Sequence, residues 1–272
     1  MSQTHENLQY RRRARSSGGA WTSSEIEVEK EMVTTSTTHR KYPLLLSMLV
    51  LIVGVGLWFK IQDSSNAQTS DNWAGYVWPS TSGVTMVSAS WTVPTLNCRV
   101  TPNAFSTAWV GVGGFSRVAT WPFPQTGTDS NCANGVQVND YWCSHKTFKE
   151  FGVSPGDVME AKIYETRGRW FCSVEDATTK RSDVKELDYA YSGTTNVSEW
   201  IVESTTISSK SKSEIGKLAD FGSLTFSDMN MSPGRWKSVD KDPRNDVAMT
   251  NANGQVIASP SWSAGGMTIV YK

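Results

Sequence analysis

Histidine is scarce in this chain, and its scarcity limits the kinds of active site the chain can contain. Only three of the 272 residues are histidine, and only His145 lies beyond residue 59. A Ser-His-Asp triad would have to use that one side chain. The zinc-protease motif H-E-x-x-H is absent, and no glycine-rich phosphate loop leads into a helical pattern. The sequence therefore predicts no cofactor and no metal site, so any catalysis would rest on carboxylates, amides and hydroxyls.

The chain also lacks an excess of positive charge. Lys plus Arg number 26, as do Asp plus Glu. Beyond residue 70 no basic region is present that could attract a polyanion, so no nucleic-acid partner is expected. Long helical periodicity is missing as well, and only Ser213 to Ala219 suggests a turn of helix.

One long apolar run contrasts with this polar composition. Residues 42–59 contain no charged side chain, and their number is near the minimum for a helix that spans the hydrocarbon layer. Lys60 follows closely, whereas several basic residues precede the run: Arg11, Arg12, Arg13, Arg15, Arg40 and Lys41. Lys and Arg stay preferentially on the cytoplasmic side. The sequence thus predicts a single-pass signal-anchor helix, a cytoplasmic N-terminus and an extracytoplasmic C-terminal domain.

The chain divides into four predicted segments. Residues 1–41, rich in Ser, Thr, Arg and Glu, are expected to be a disordered tail. They are followed by the anchor at 42–59, a polar linker at 60–70 and a domain at 71–272. Ser65-Asn66-Ala67 has the small-x-small pattern of a cleavage site, so release after Ala67 stays open.

The cysteines all follow the apolar run. They are Cys98, Cys132, Cys143 and Cys172. An even number confined to the presumed outer part of the chain predicts disulfides formed in an oxidising compartment. Four cysteines allow three pairings, and the spacing does not choose among them. Four free buried thiols are the alternative.

Short apolar segments recur throughout residues 71–272, separated by Gly, Pro, Asn and Ser. They have the period-two or short apolar pattern of strands. Examples are Val84 to Val93, Ala108 to Val112, Val158 to Tyr164, Trp170 to Val174, Trp200 to Val202 and Met267 to Tyr271. About 200 residues of this kind predict one all-β domain, a sandwich or a barrel.

The segment from Ser198 to Glu203 carries two carboxylates. As a strand it places Glu199, Ile201 and Glu203 on one face, with Trp200 and Val202 on the other, in the core. The two carboxylates are then about 13 Å apart, too far for a coupled pair. One glutamate would have to work with a partner from another strand. A solvated or ion-paired glutamate is the alternative.

Gln125 lies in the segment Trp121-Pro122-Phe123-Pro124-Gln125-Thr126-Gly127-Thr128-Asp129. A neutral amide NH₂ can donate to a developing oxyanion without titrating. The alternative is an ordinary turn residue.

These segments and their neighbours resemble the glutamic peptidases, also called eqolisins. The resemblance covers residues 71 to about 228, in pieces that are weak singly but occur in the family's order. The pieces are Asp71-Asn72-Trp73-Ala74-Gly75-Tyr76, Ser90-Trp91-Thr92-Val93-Pro94, Ala108-Trp109-Val110-Gly111-Val112-Gly113-Gly114, Gln125-Thr126-Gly127, Tyr141-Trp142, Pro155-Gly156-Asp157, Glu199-Trp200-Ile201-Val202-Glu203 and Ala219-Asp220-Phe221-Gly222.

The resemblance implies a fold, an activity and a set of site residues. The fold would be an antiparallel sandwich of two large sheets, similar to concanavalin-like lectins. The activity would be endopeptidase cleavage of polypeptides, mainly in acid, by a monomeric catalytic domain. Glu203 would be the general base and acid, and Gln125 the oxyanion donor. Trp73 and Trp109 match tryptophans of the family's substrate cleft, and Thr126 and Gly127 complete the glutamine motif.

Two positions depart from the family's pattern. Gly113 stands where fungal members carry aspartate, and Ser144 stands where a glutamate usually follows a Trp-Tyr pair. Both changes remove a carboxyl from the expected cleft. A surface module that binds peptide or polysaccharide without turnover is therefore the alternative, and the chain's 12 tryptophans could supply stacking surfaces for it.

Overall fold

Strands make up nearly all the regular structure of the described residues. The structure is a computed structural model that describes residues 68–115, 122–144, 146–208, 213–232 and 242–272. The first strands are β1 Gln68–Ser70, β2 Trp73–Pro79, β3 Met86–Thr92, β4 Phe105–Val112, β5 Gln125–Ala133, β6 Val136–Cys143, β7 Lys146–Phe148, β8 Val158–Thr166 and β9 Arg169–Asp176. They are followed by β10 Arg181–Glu186, β11 Val197–Glu203, β12 Thr206–Ser208, β13 Ser213–Ile215, β14 Ser223–Ser232, β15 Asp246–Thr250, β16 Val256–Ser263 and β17 Gly266–Tyr271.

The prediction of an all-β, antiparallel domain is confirmed. The sheet order is β10-β9-β8-β3-β14-β17-β16-β15-β2-β11-β4-β5-β6-β7, and β12 pairs with β13 separately. Neighbours along this path are antiparallel, whereas the short β1 pairs with β15 in parallel. Every segment predicted as a strand overlaps one. The hint of helix at Ser213 to Ala219 was wrong, because that segment begins with strand β13.

Strand β14 joins two regions of the sheet. Its residues Ser223–Phe226 pair with β17, whereas its later residues pair with β3. The register shifts between Ser227 and Asn230, and Asp228 has a φ of 48°. Such an irregularity bends a strand and increases its local twist. Strands β3 and β8 contact β4.

The main core lies between these contacting strands. Trp91 and Trp200 are almost wholly buried in it. The Trp200 indole N–H donates to the Ser88 carbonyl at 3.1 Å, and the Trp91 indole N–H donates to Thr128 Oγ1 at 3.0 Å. Buried indoles need such partners because an unpaired N–H is costly away from water. The prediction that Trp200 and Val202 face the core is confirmed.

A second hydrophobic cluster lies mainly on strands β2, β4, β6, β11 and β15. Its buried members are Val77, Trp109, Phe123, Trp142, Val197, Ile201 and Val247, with Trp73 packed against them. Ile201, which shares its face with Glu199 and Glu203, is therefore buried as well.

The four cysteines form two disulfides, which confirms that they are paired. Cys98 bonds Cys132, and Cys143 bonds Cys172. The second bond joins the end of β6 to β9. The spacing left this choice among three pairings open.

The described residues do not support the membrane localisation expected from the apolar run. No helix among the described residues is long and apolar enough to cross a membrane, and their single helical element is the 3-10 turn Pro243–Asn245. The predicted tail at 1–41 and anchor at 42–59 lie outside the described residues, as does most of the linker. The cytoplasmic N-terminus, the extracytoplasmic placement, the membrane partner and the release after Ala67 are accordingly withdrawn.

Candidate active site

A cleft of about 660 Å³ opens over neighbouring strands of the sheet. Side chains reach it from β2, β11, β4, β5 and β6, which are adjacent in this order in the sheet, and from the loops that follow some of them. The lining residues are Asn72, Trp73, Thr107, Gly114, Phe123, Gln125, Asp129, Trp142, Ser144, Thr147, Glu203, Thr205 and Thr206. Asp129 and Glu203 are the acidic members of this lining, and it contains no basic side chain from the described residues.

Glu203 is the last residue of β11 and lies between Trp73 of β2 and Thr107 of β4. Its Oε1 accepts a hydrogen bond from Asn72 Nδ2 at 3.0 Å, and its Oε2 accepts one from Trp109 Nε1 at 2.9 Å. Burial, with a smaller contribution from the charge of Asp129, raises the pKa of Glu203 to about 7, against the lowering effect of the nearby Trp73, Trp109 and Asn72 N–H groups. The Trp73 indole N–H lies near enough to lower this pKa, but it makes no hydrogen bond of its own.

Gln125 is the first residue of β5 and reaches the same cleft. It is 4% exposed, and its side-chain amide has no hydrogen-bond partner among the described residues. Its backbone is held on both sides, by pairing with Gly111 of β4 and by the Ser144 N–H, which donates to its carbonyl at 2.7 Å. The structure therefore brings the two predicted catalytic side chains, 78 positions apart, to one cavity.

Of the other predicted site residues, Trp73 lines the cleft, whereas Trp109, Thr126 and Gly127 do not. Trp73 lines the cleft and meets Trp109 edge to face, with ring centroids 5.0 Å apart. Trp109 is 0% exposed and reaches Glu203 through its indole N–H. Thr126 is also fully buried and donates its hydroxyl to the Trp142 carbonyl at 2.7 Å. Gly127 lies opposite both Trp109 and Trp142 in the sheet.

Sequence reasoning gave no role to Asp129, although it lines the cleft. Thr107 Oγ1 donates to its Oδ1 at 2.7 Å and lies 3.0 Å from Thr205 Oγ1. Burial raises the pKa of Asp129 to about 6. Thr107 is directly opposite both Asp129 and Glu203, so these two carboxylates belong to next-nearest strands with backbones about 10 Å apart. The period of two that aligns Gln125, Gly127 and Asp129 could have revealed this residue.

The alternative of a solvated or ion-paired glutamate does not describe Glu199. It is 0% exposed. Its Oε1 accepts the backbone N–H of Phe115, while its Oε2 has no partner. Burial raises its pKa to about 8, against the lowering effect of the Phe115 and Gly114 N–H groups. Because Phe115 lies 5.9 Å from Trp73, measured between ring centroids, Glu199 holds the loop after β4 beside the cleft.

Gly113 and Ser144, the two positions that depart from the family's pattern, each lie next to a tyrosine hydroxyl. Gly113 has a φ of 88°, and a Cβ there would be 2.2 Å from the Thr194 carbonyl oxygen and 2.3 Å from the Tyr191 hydroxyl. Ser144 lines the cleft in a left-handed conformation, φ 58°, with its Oγ 2.7 Å from the Tyr189 hydroxyl. Tyrosines from the segment before β11 thus lie at both places. His145 lies outside the described residues.

The family model described as "Peptidase A4 family" matches residues 71–271. The chain belongs to this family. It is therefore a glutamic endopeptidase, the type to which the sequence resemblance pointed. No group of His, Cys, Asp or Glu side chains in the part of the chain that the structure describes could hold a metal ion.

Solved structures agree with this membership. The peptidase is similar to SCP-B, an eqolisin-family peptidase in complex with the tripeptide Ala-Ile-His, at 25% identity and a TM-score of 0.64, covering 75% of this chain and 99% of that one. It is similar to scytalido-glutamic peptidase with a transition-state analogue inhibitor at 24% identity, a TM-score of 0.63 and the same coverage. Aspergilloglutamic peptidase from Aspergillus niger matches at 24% identity and a TM-score of 0.52, covering 62% and 99%. No curated protein sequence matches the chain significantly.

Removing the Cys143–Cys172 disulfide of this peptidase should lower kcat about tenfold, whereas removing Cys98–Cys132 should leave kcat near its original value. The bonds span similar sequence separations, 29 and 34 residues, so each removal should cost a similar amount of stability, roughly 3–4 kcal/mol. Only Cys143 adjoins Ser144, whose N–H holds Gln125. The double Cys→Ser variants should be compared at a temperature where both are folded. Equal kcat values would contradict the expected difference.

Proposed function

We propose that this peptidase cleaves polypeptides with Glu203 as its proton-transfer group and Gln125 as its oxyanion donor. One observation supports the pairing above all others: both side chains line the same cleft. Glu203 is held by two donors, whereas the amide of Gln125 has no described partner and is available to a substrate. Such an arrangement suits a reaction in which one group moves a proton and the other stabilises a developing charge.

The proposed reaction has two steps. In the first, the Glu203 carboxylate takes a proton from a water molecule, and the resulting hydroxide adds to the carbonyl carbon of the scissile bond. The negative charge that develops on the carbonyl oxygen accepts a hydrogen bond from the Gln125 NH₂. In the second step, the protonated Glu203 donates that proton to the leaving nitrogen as the C–N bond breaks. The carboxylate is thereby regenerated.

The pKa of Glu203 determines where on the pH scale this reaction runs. The resemblance implies activity in acid. A carboxyl that must be ionised to act as base, and whose pKa is raised to about 7 by burial, becomes more active as the pH approaches neutrality. We therefore infer that activity extends upward from the acidic range toward pH 7.

The cleft walls suggest the kind of substrate. Trp73, Phe123 and Trp142 supply aromatic surface, and the threonines Thr107, Thr205 and Thr206 supply hydroxyls. This mixture suits an extended peptide with apolar side chains. Trp73 is the proposed direct contact, while Trp109 acts through its hydrogen bond to Glu203. Thr126 and Gly127 act through the packing of β5.

The same proposal includes the finer description of the fold. The bend in β14, together with the packing of β3 and β8 against β4, supports a sandwich of two large antiparallel sheets of the concanavalin-like type. In that arrangement the cleft occupies the face of one sheet that points away from the other.

Replacing Gln125 by Ala should reduce kcat for cleavage of casein or a quenched peptide by about 10²- to 10³-fold. The reason is that the alanine removes the oxyanion donor and leaves Glu203 in place. The full chain should be assayed from acidic to neutral pH, with and without a chelator, beside the control Gln68→Ala, a half-buried glutamine of β1 that does not line the cleft. Activity in Gln125→Ala equal to that of the control would contradict the assigned role. Peptide binding without any cleavage by the wild type would favour the binding module instead.

A further inference from the structure

The segment between β10 and β11, residues 187–196, contacts the cleft wall on the Gln125 side. Tyr189 from this segment places its hydroxyl 2.7 Å from Ser144 Oγ. The neighbouring Asp188 forms an ion pair with Lys146, on the other side of the same β6–β7 turn. Tyr191 donates its hydroxyl to the Thr194 carbonyl at 2.9 Å and occupies the space next to Gly113.

Ser144 connects this segment to the reacting groups. Pairing of β5 with β6 ends at Thr126 and Cys143, and the Ser144 N–H then donates to the Gln125 carbonyl at 2.7 Å. That hydrogen bond is the last one to reach Gln125 from this edge of β5. On the N-terminal side of Gln125 the chain leaves the sheet, so the backbone there depends on Ser144 and on β4.

The conformation of Ser144 requires support from its surroundings. Its φ of 58° is one that residues other than glycine seldom hold without such support. The Cys143–Cys172 disulfide fixes the residue before it. The side chain of Ser144, only 6% exposed, meets the Tyr189 hydroxyl.

Tyr189 lies between the cleft and a second cavity. On one side its hydroxyl meets the catalytic cleft wall at Ser144. On the other side it lines a second cavity of about 340 Å³, together with Trp170, Leu187 and Tyr191. Its ring also packs against the main hydrophobic core, which holds the ring in place while the hydroxyl reaches Ser144. Burial also raises the pKa of Tyr189 above its ordinary value, so its hydroxyl stays protonated throughout the range in which Glu203 titrates.

We propose that Tyr189 is a positioning residue of this peptidase: its hydroxyl fixes Ser144, and Ser144 fixes the Gln125 backbone so that the Gln125 amide points into the cleft. This role rests on the proposed function of Gln125. A hydroxyl pair thereby occupies the place at which the resemblance led us to expect a carboxyl. The pair adds no charge to the cleft, which leaves Asp129 as the acidic neighbour of Glu203.

The test compares kcat and KM for Tyr189→Phe, Ser144→Ala and the double variant. Because a small misplacement of an oxyanion donor affects the transition state more than ground-state binding, each single variant should lose about tenfold in kcat with KM changed less than about twofold. The double variant should lose no more than either single one, since both changes break one connection. The pH midpoint of the rate should stay at its wild-type position, because no contact of Glu203 is altered.

Tyr164→Phe is the matched control, because Tyr164 is a half-buried tyrosine of β8 that stacks on Phe171 away from the cleft. Thermal unfolding of every variant shows whether it is folded at the assay temperature, and Ser144→Ala tests the same connection if Tyr189→Phe is unstable. Tyr189→Phe with the kcat of Tyr164→Phe would overturn the proposal, as would additive losses in the double variant. A rise in KM alone would assign Tyr189 or Ser144 to direct substrate contact instead. If the wild type itself shows no Glu203-dependent cleavage, the proposed function fails first, and that outcome is distinct.

Discussion

Replacing Glu203 by Gln should lower kcat by about 10³-fold or more, because the amide can neither take a proton from water nor return one to the leaving nitrogen. In the wild type, kcat/KM should rise with pH as Glu203 ionises, with a midpoint near its raised pKa of about 7. The residual rate of Glu203→Gln should lose that midpoint. Initial rates on a quenched peptide across the acidic and neutral range measure both effects.

The same substitution should stabilise the fold at alkaline pH. The pKa of Glu203 is raised from 4.5 to about 7 in the folded state, so the unfolded chain releases this proton at lower pH than the folded one. Stability is therefore lost as the pH rises from the unfolded pKa to the folded one, by roughly 3 kcal/mol for a group shifted this far. Glu203→Gln removes that loss, so it should be more stable than the wild type above neutrality and similar to it in acid.

Glu175→Gln is the control for both measurements, because Glu175 is an exposed residue of β9. It should match the wild type in rate and in the pH dependence of stability. Activity in Glu203→Gln close to that of Glu175→Gln would remove Glu203 from the mechanism. If the pH dependence of stability for Glu203→Gln runs parallel to that of the wild type, burial does not raise the pKa of the Glu203 carboxyl.

The order of short motifs pointed to Gln125 and Glu203, and the structure has both side chains in the lining of one cleft. The alternation along β11 predicted which face each side chain takes. Alternation specifies the face but not what covers it. Glu199 shares its face with Glu203, yet it is fully enclosed under the Gly114–Phe115 loop. The pattern along β11 could not predict this burial, because the loop comes from a different part of the chain. The pairing of Cys143 with Cys172 likewise depends on which strands meet, and no local pattern encodes that contact.

Trp109 shows a second limit of sequence patterns, which concerns a buried ring rather than a buried carboxyl. Its motif identified it as a residue of the site, but a strand pattern does not distinguish a ring that lines a cleft from one that lies beneath it. The distinction arises from Gly127, which leaves room for Trp109 on the neighbouring strand, and from Glu203, which accepts its indole N–H. Both partners are distant in sequence. The candidate site residues could therefore be proposed from the sequence, while the hydrogen bonds that shift their pKa values could not.

Replacing Gly127 by Ala should destabilise the domain by about 3 kcal/mol, at the upper end of the usual cost of overpacking. A Cβ at this position would be 2.0 Å from the Ala108 carbonyl oxygen and 2.7 Å from Trp109 Cβ. Because one of these neighbours is backbone, β4 and β5 have to separate. For a domain of this size the midpoint of thermal unfolding should fall by roughly 6–12 °C.

The displacement should also reach Glu203. If β4 shifts, the Trp109 indole N–H moves away from Oε2, and one of the donors that lower the pKa of Glu203 is weakened. The acid limb of the rate profile should then move to higher pH in Gly127→Ala. Gly152→Ala is the matched control, since a Cβ there meets nothing within 4 Å. Equal stability of the two variants, or an unshifted acid limb in a clearly destabilised Gly127→Ala, would show that Trp109 does not depend on this glycine for its contact with the Glu203 carboxyl.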